Sequence, residues 1–350
     1  MKYLKDVQIC CRGDGNNKLR IIKKKNMNII KSVQLRILKI KYSGDSIGDD
    51  IRVEVEALGK FLRVDKRIKT GTIVEINKEV GRFETDLKSF SAEISIIIIE
   101  KDLLFNDVGS IKGIVKVDTA SIKPQQFVFK AQIKETRSVL GKIWGNKVAN
   151  FEITLEAVAA DAVRYVSDEG DGWLKVVLED KHIEVSLPAY LKIKIERADA
   201  KREYFTILEG PYRGRIASSV FKDDSASQFI TDVKHESMAR ASYSISKKTF
   251  TLNGKKYQTV DYPKDPWKKG LYDIEIPDYP HKGGRNYLNQ SKRAMTWFKI
   301  GHNGERYLHT GGQSLGCITI VETKRWMEIY NILIKARKDS ISVGALEVID

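Results

Sequence analysis

Apolar and polar residues alternate with a period of two along most of the first half of the chain. Val33 to Tyr42 reads Val-Gln-Leu-Arg-Ile-Leu-Lys-Ile-Lys-Tyr, and Ile51 to Leu58 reads Ile-Arg-Val-Glu-Val-Glu-Ala-Leu. The same pattern predicts strands at Phe61–Ile68, Thr72–Ile76, Ala92–Glu100, Ile111–Val117, Gln126–Lys134 and Asn150–Val158. Turn signals such as Ser43-Gly44-Asp45 and Asn106-Asp107-Val108-Gly109 break the series. About eight strands with one wet face fit an antiparallel sandwich over residues 1–165.

A turn-rich stretch, Ser167-Asp168-Glu169-Gly170-Asp171-Gly172, then serves as a linker into a small β segment at 166–235. Its strands are expected at Trp173–Leu178, Ile183–Leu187, Leu191–Ile195 and Tyr204–Leu208, and its Gly210-Pro211-Tyr212-Arg213-Gly214 turn resembles that of SH3-like barrels. An N-terminal extension of the last domain is the alternative. From 236 to 350 short strands precede one helix, Glu322–Lys338, with Trp326, Ile329, Tyr330, Leu333, Ile334 and Arg337 on one face at steps of three and four. Ile341–Ile349 supplies a closing strand. The fold class is therefore mainly β, a β-rich α+β protein in three parts.

Composition adds limits. With 350 residues, 42% apolar and 31% charged, the chain has material for two or three packed domains. Its net charge of +15 favours polyanions, yet no zinc finger, RNA-binding aromatic signature or helix-turn-helix accompanies it, so no nucleic acid partner is expected. Cys10, Cys11 and Cys317 cannot make a disulfide framework. The N-terminus lacks the apolar core of about 7 to 15 residues that a secretory leader needs.

Candidate chemistry gathers at Tyr307 to Val321. There His309 and Cys317 lie eight positions apart, on either side of a bend containing Gly311, Gly312 and Gly316. An imidazole within reach of a thiol can take its proton and return it to a leaving group. The plain alternative is a small buried cysteine ahead of a strand. A zinc site from His281, His302, His309 and Cys317 is disfavoured because no short paired spacing is present, and neither metal nor cofactor is expected.

Ser314-Leu315-Gly316-Cys317-Ile318-Thr319-Ile320 resembles the signature of the L,D-transpeptidase (YkuD-like) catalytic domain, a Ser/Thr-His-Gly-Cys followed by an apolar strand. Asp265-Pro266-Trp267-Lys268-Lys269-Gly270-Leu271-Tyr272-Asp273-Ile274 is similar to that family's Thr-Pro-x-Gly-x-Tyr-x-Ile segment. Leu315 and Thr319 depart from the pattern, where a His and an Arg or Asn are usual. The short His-to-Cys loop is closer to the compact variant of secreted antibacterial effectors.

The resemblance implies a peptidoglycan-modifying cysteine enzyme acting on stem peptides through a thioacyl intermediate, as transpeptidase or carboxypeptidase. Cys317 is then the nucleophile and His309 the base, Ser314 orients the loop, and the amides around Gly316 and Cys317 form the oxyanion site. His302 is a substitute partner for the base, with an exposed turn as its alternative. Arg285 and Arg306 are candidates for gripping a substrate carboxylate. Gly312 lets substrate approach the backbone. His281 lies in a loop that could roof the pocket, with a solvent-facing turn as the alternative. Such a protein is expected to be made in a bacterial cytoplasm without a Sec signal and to act at the periplasm or cell wall, of a target cell if it is an effector.

The first half, with Ile98 to Gly109 following a buried strand, resembles the synaptotagmin-type membrane-docking sandwich. That likeness implies a test of Asp45, Asp49, Asp50, Asp102 and Asp107 as calcium ligands, against their simpler role in turns. The competing function is a non-catalytic binding or structural protein that docks a secretion apparatus, a membrane or the wall through residues 1–165.

Overall fold

The computed structural model describes residues 29–101, 106–134, 147–223, 226–301 and 304–350. The first eight strands are β1 (Lys31–Gly44), β2 (Asp50–Ala57), β3 (Lys60–Arg67), β4 (Ile73–Thr85), β5 (Ser89–Glu100), β6 (Asp107–Asp118), β7 (Gln125–Lys134) and β8 (Val148–Val166). They form two antiparallel layers, β4-β1-β8-β7 and β3-β2-β5-β6. Alternation puts Leu35, Ile37, Val53, Val55, Ile94, Ile96, Ile153 and Leu155 inside one cluster, where Tyr42 stacks on Phe151 at 4.5 Å. The strand expected at 72–76 runs to Thr85. Its second half puts Val80 and Phe83 into the core between exposed polar residues, and two bulges interrupt its pairing with β1.

The carboxylates of Asp45 and Asp50 have local partners. Asp45 accepts the Val148 N–H at 2.8 Å, and Asp50 pairs with Lys101 at 3.2 Å. Asp107 is buried, Asp49 accepts the Ile68 N–H on its backbone carbonyl, and Asp102 lies outside the described residues.

β8 is long enough to serve two sheets. Up to Asp161 it pairs with β1, and residues 162–165 pair with β11 (Lys192–Ala198). Around it stand β9 (Trp173–Leu178), β10 (Ile183–Pro188), β12 (Arg202–Ile207), β13 (Ile216–Val220) and β14 (Phe229–Ile230), in the order β10-β9-β13-β12-β11-β8. β13 has no alternation to betray it, because Ala217, Ser218 and Ser219 are all buried.

The remainder comprises β15 (Glu236–Ser237), β16 (Ala239–Ser244), β17 (Thr249–Leu252), β18 (Lys255–Val260), β19 (Gly270–Glu275), β20 (Phe298–Lys299), β21 (Tyr307–Thr310), β22 (Ile318–Ile320), α1 (Trp326–Leu333), β23 (Ala336–Arg337) and β24 (Ser342–Ile349). Eight of these run β19-β24-β16-β17-β18-β22-β21-β20, and a bridge between Ile274 and Ile300 joins the two edges into a nearly closed barrel. The closing strand expected at the C-terminus, β24, lies inside the sheet, parallel to β16 and antiparallel to β19.

The helix is shorter than periodicity predicts, spanning eight residues behind a 3-10 turn at Thr323–Arg325. Its buried face is the expected one, with Trp326, Ile329, Tyr330 and Leu333. It stops because Ala336 and Arg337 pair with β15 as a strand, and the Arg337 guanidinium donates to the Ile334 and Ala336 carbonyls and to Glu209.

Side chains from 166–235 and from 236–350 share a single apolar cluster, in which Phe205 and Phe229 join Tyr243, Phe250, Trp326 and Leu346. Buried charge crosses the same boundary. Arg293, with 2% of its side chain exposed, donates to Asp168 at 2.5 Å and to the Gly170 carbonyl at 2.7 Å. Tyr330 Oη donates to the same carboxylate at 3.3 Å. Paired this way the charges are tolerable; losing one partner would strand the other away from water.

Candidate active site

β21 and β22 are adjacent and parallel, with Leu308 opposite Ile318, His309 opposite Thr319 and Thr310 opposite Ile320. Parallel neighbours usually need a crossover of about a dozen residues, but these strands are three or four residues long, so residues 311–317 suffice to return the chain. Alternation sends Leu308 and Ile318 into the core and puts His309 and Thr319 on the opposite face. Cys317 precedes β22 and is half-buried, and the backbone N–H of Tyr307 donates to its sulfur. The parallel register therefore sets Cys317 level with Tyr307, two positions before His309 on the neighbouring strand.

The bend is set by its own hydrogen bonds. Ser314 Oγ donates to the Cys317 carbonyl at 2.7 Å and accepts the Gly316 N–H at 3.2 Å, tying the bend together from within. Gly316 has φ +116°, a region closed to most side chains, which explains glycine immediately before the cysteine. Gly312 is exposed, and its N–H donates to Tyr287 Oη at 2.8 Å. Tyr287 closes a 3-10 turn, Lys282–Tyr287, that packs closely because a side chain on Gly284 would strike the Ala294 carbonyl.

His309 is buried, and its hydrogen bonds define its tautomer. Nδ1 faces the Thr310 carbonyl at 3.0 Å, and a carbonyl only accepts, so Nδ1 carries the proton. Nε2 then presents a lone pair, met by Thr319 Oγ1 at 3.1 Å. The same hydroxyl lies 3.3 Å from the Gln313 carbonyl, and its one hydrogen serves one of these acceptors at a time. Burial lowers the His309 pKa to about 4, helped by His281 nearby and opposed by the Thr310 carbonyl. Burial pushes the Cys317 thiol up, against the Tyr307 N–H and the charge of Arg306. The resting pair is thus thiol and neutral imidazole.

An aromatic stack backs His309. Trp297 lies on His309 at 4.0 Å and 14°, His281 on Trp297 at 4.4 Å and 4°, and Tyr279 on His281 at 4.2 Å. Asp278 holds the far end, facing His281 Nε2 at 3.0 Å and accepting Tyr307 Oη at 3.0 Å. Burial pushes the Asp278 carboxyl up, but these bonds hold it below its ordinary range; burial and that carboxylate push the Tyr307 phenol up. His281 is therefore a buried ring within the stack, and the solvent-facing alternative is corrected: Trp297 and Tyr279 cover its two faces.

The remaining candidates are dispersed. Arg306 pairs with Asp265 at 2.5 Å and lies over the Trp267 ring at 4.9 Å. Arg285 is exposed on the 3-10 turn. His302 lies outside the described residues; the imidazole's partners are Thr319 and the Thr310 carbonyl. Among the described residues no three of His, Cys, Asp or Glu are grouped to hold a metal. Sequence reasoning missed Thr319, Asp278, Trp297 and Tyr287. Only Thr319 left a signal, being two positions beyond Cys317 and so on the same strand face.

Thr319→Val is expected to raise the His309 pKa by roughly half a unit to one unit, because the hydroxyl favours the neutral ring by about 1 kcal/mol. An imidazole NMR titration reads this, and a downward shift would contradict the assigned tautomer.

No family model matches the chain, and no curated protein does. Among solved structures the chain is similar to the first C2 domain of plant Extended Synaptotagmin 1, at 11% identity and a TM-score of 0.21, covering 39% of this chain and 96% of that one. It is also similar to the paired C2 domains of Extended-Synaptotagmin 2, at 9% identity and 0.22, covering 57% and 81%. Human GIVD cytosolic phospholipase A2 matches at 12% identity and 0.24, over 55% of this chain and 30% of that one.

Proposed function

We propose that residues 236–350 carry a cysteine enzyme that acts on peptidoglycan stem peptides, as an L,D-transpeptidase or L,D-carboxypeptidase. The observation that carries the reading is a half-buried thiol at Cys317 beside the strand whose His309 keeps a lone pair on Nε2. In the proposed step the Cys317 sulfur attacks the carbonyl carbon preceding a D-amino acid, and the thiol proton moves to Nε2. Thr319 turns its hydrogen to the Gln313 carbonyl to free that lone pair. Collapse of the oxyanion breaks the C–N bond, and the imidazolium returns the proton to the departing amine. Water or a second amine then cleaves the thioester.

The Gly316 N–H, one of the expected oxyanion donors, is held by Ser314 at rest and must be released to take that role. A thiol and an imidazole that both rest neutral, on adjacent strands, suit general-base catalysis better than a preformed ion pair.

Mass analysis of diaminopimelate-containing tetrapeptide muropeptides after incubation with the protein tests the proposal. Loss or exchange of the terminal D-amino acid, or new crosslinked dimers, supports it; unchanged muropeptides overturn it. The second reading, a non-catalytic docking protein, is favoured by the raised thiol pKa and by exposed Leu58 and Phe61 around the β2–β3 turn. Sedimentation with anionic liposomes tests its membrane form.

A further inference from the structure

The connection from β18 to β19 is a largely exposed, basic loop tied down at its start by Asp261, which accepts from Tyr243 and Lys248, and further on by Trp267. Between Tyr262 and Lys269 it carries Lys264, Lys268 and Lys269, and Asp265 lies between Pro263 and Pro266. Trp267 is buried and meets Tyr272 edge-on at 5.6 Å, and Tyr272 Oη donates to the Lys268 carbonyl at 2.9 Å. Asp265 itself is free of that anchor, with 61% of its side chain exposed.

Its carboxylate nevertheless reaches the candidate active site. It pairs with Arg306 at 2.5 Å, and its Oδ2 lies 3.6 Å from the point where Gly316 would carry a Cβ. The Arg306 guanidinium rests over Trp267 at 4.9 Å, and its charge is felt at the Cys317 sulfur. A cation held over an aromatic ring, and paired with a carboxylate that reaches Gly316, is a ready partner for another planar carboxylate. An ion pair this exposed contributes little net stability, so a second carboxylate with contacts of its own can replace the first.

We propose that Asp265 is a resident carboxylate in an Arg306 site for the C-terminal carboxylate of a peptide, and that such a peptide displaces it to lie against Cys317. The proposal rests on the reading of Cys317 as the nucleophile and deepens it, by assigning the substrate as carboxylate-terminated. A D-amino acid leaving group bears that carboxylate one residue from the bond that breaks.

The test is protection of Cys317 from iodoacetamide, followed by peptide mass analysis, with N-acetyl-D-alanine as probe and its uncharged methylamide as control. In the full chain, N-acetyl-D-alanine protects, and Asp265→Asn reaches half-protection at a concentration about fivefold lower, the scale of an exposed ion pair. Asp265→Ser, made in parallel, shifts in the same direction, and Arg306→Gln loses protection. Equal half-protection in the wild type and both Asp265 variants, equal protection by the methylamide, retained protection in Arg306→Gln, or no protection in any protein would overturn it. Because alkylation needs no turnover, unchanged muropeptides alongside this pattern would refute the enzymatic reading alone.

Discussion

Cys317→Ala is expected to abolish muropeptide processing, with a loss of at least about 1,000-fold, because the proposed acyl intermediate is a thioester on its sulfur. With burial raising its pKa, Cys317 is expected to alkylate slowly at neutral pH and to accelerate on the alkaline side of an ordinary thiol. An alanine variant that still processes muropeptides at the wild-type rate would remove the sulfur from the mechanism. A fully reactive thiolate at neutral pH would instead point to a preformed ion pair with His309.

Acidification is expected to destabilise the fold through His309. Its imidazole titrates at about 4 in the folded protein and near 6.5 when exposed, so between these values the unfolded chain binds the extra proton. Stability is complete above the higher value, falls as pH drops, and has lost about 3 kcal/mol below the lower one. His235 is also depressed by burial and acts in the same direction, so the comparison must be with His309→Gln. Denaturant unfolding at a series of pH values should show a shallower acid slope in that variant. Identical slopes would mean that the ring beneath Trp297 is not protected from protonation. The same depression keeps Nε2 available as a base throughout the neutral range.

Much of the site could be read along the chain. Glycine before Cys317, serine three residues ahead of it and a histidine across the bend are local features, and Ser314 and Gly316 act within that loop. Thr319, which looked like a departure from the transpeptidase pattern, meets His309 Nε2. Asp278, Trp297 and Tyr287 left no comparable trace, because each acts across a sequence gap that no periodicity spans. Asp265 was visible only as part of a motif, and its ion pair with Arg306 depends on how the 261–269 loop lies over the barrel.

The strands show the same division. Alternation located all eight strands of the sandwich and the apolar face of α1, since burying one side of an element leaves its mark on every second or every third and fourth residue. It did not reveal the full length of β4, the place of β24 inside its sheet, or the early end of α1. Those outcomes follow from hydrogen bonds and buried charges between distant segments, such as Arg337 with Glu209 and β1 with β4. Partner choice between remote strands depends on which surfaces meet, and that is settled only when the chain closes on itself.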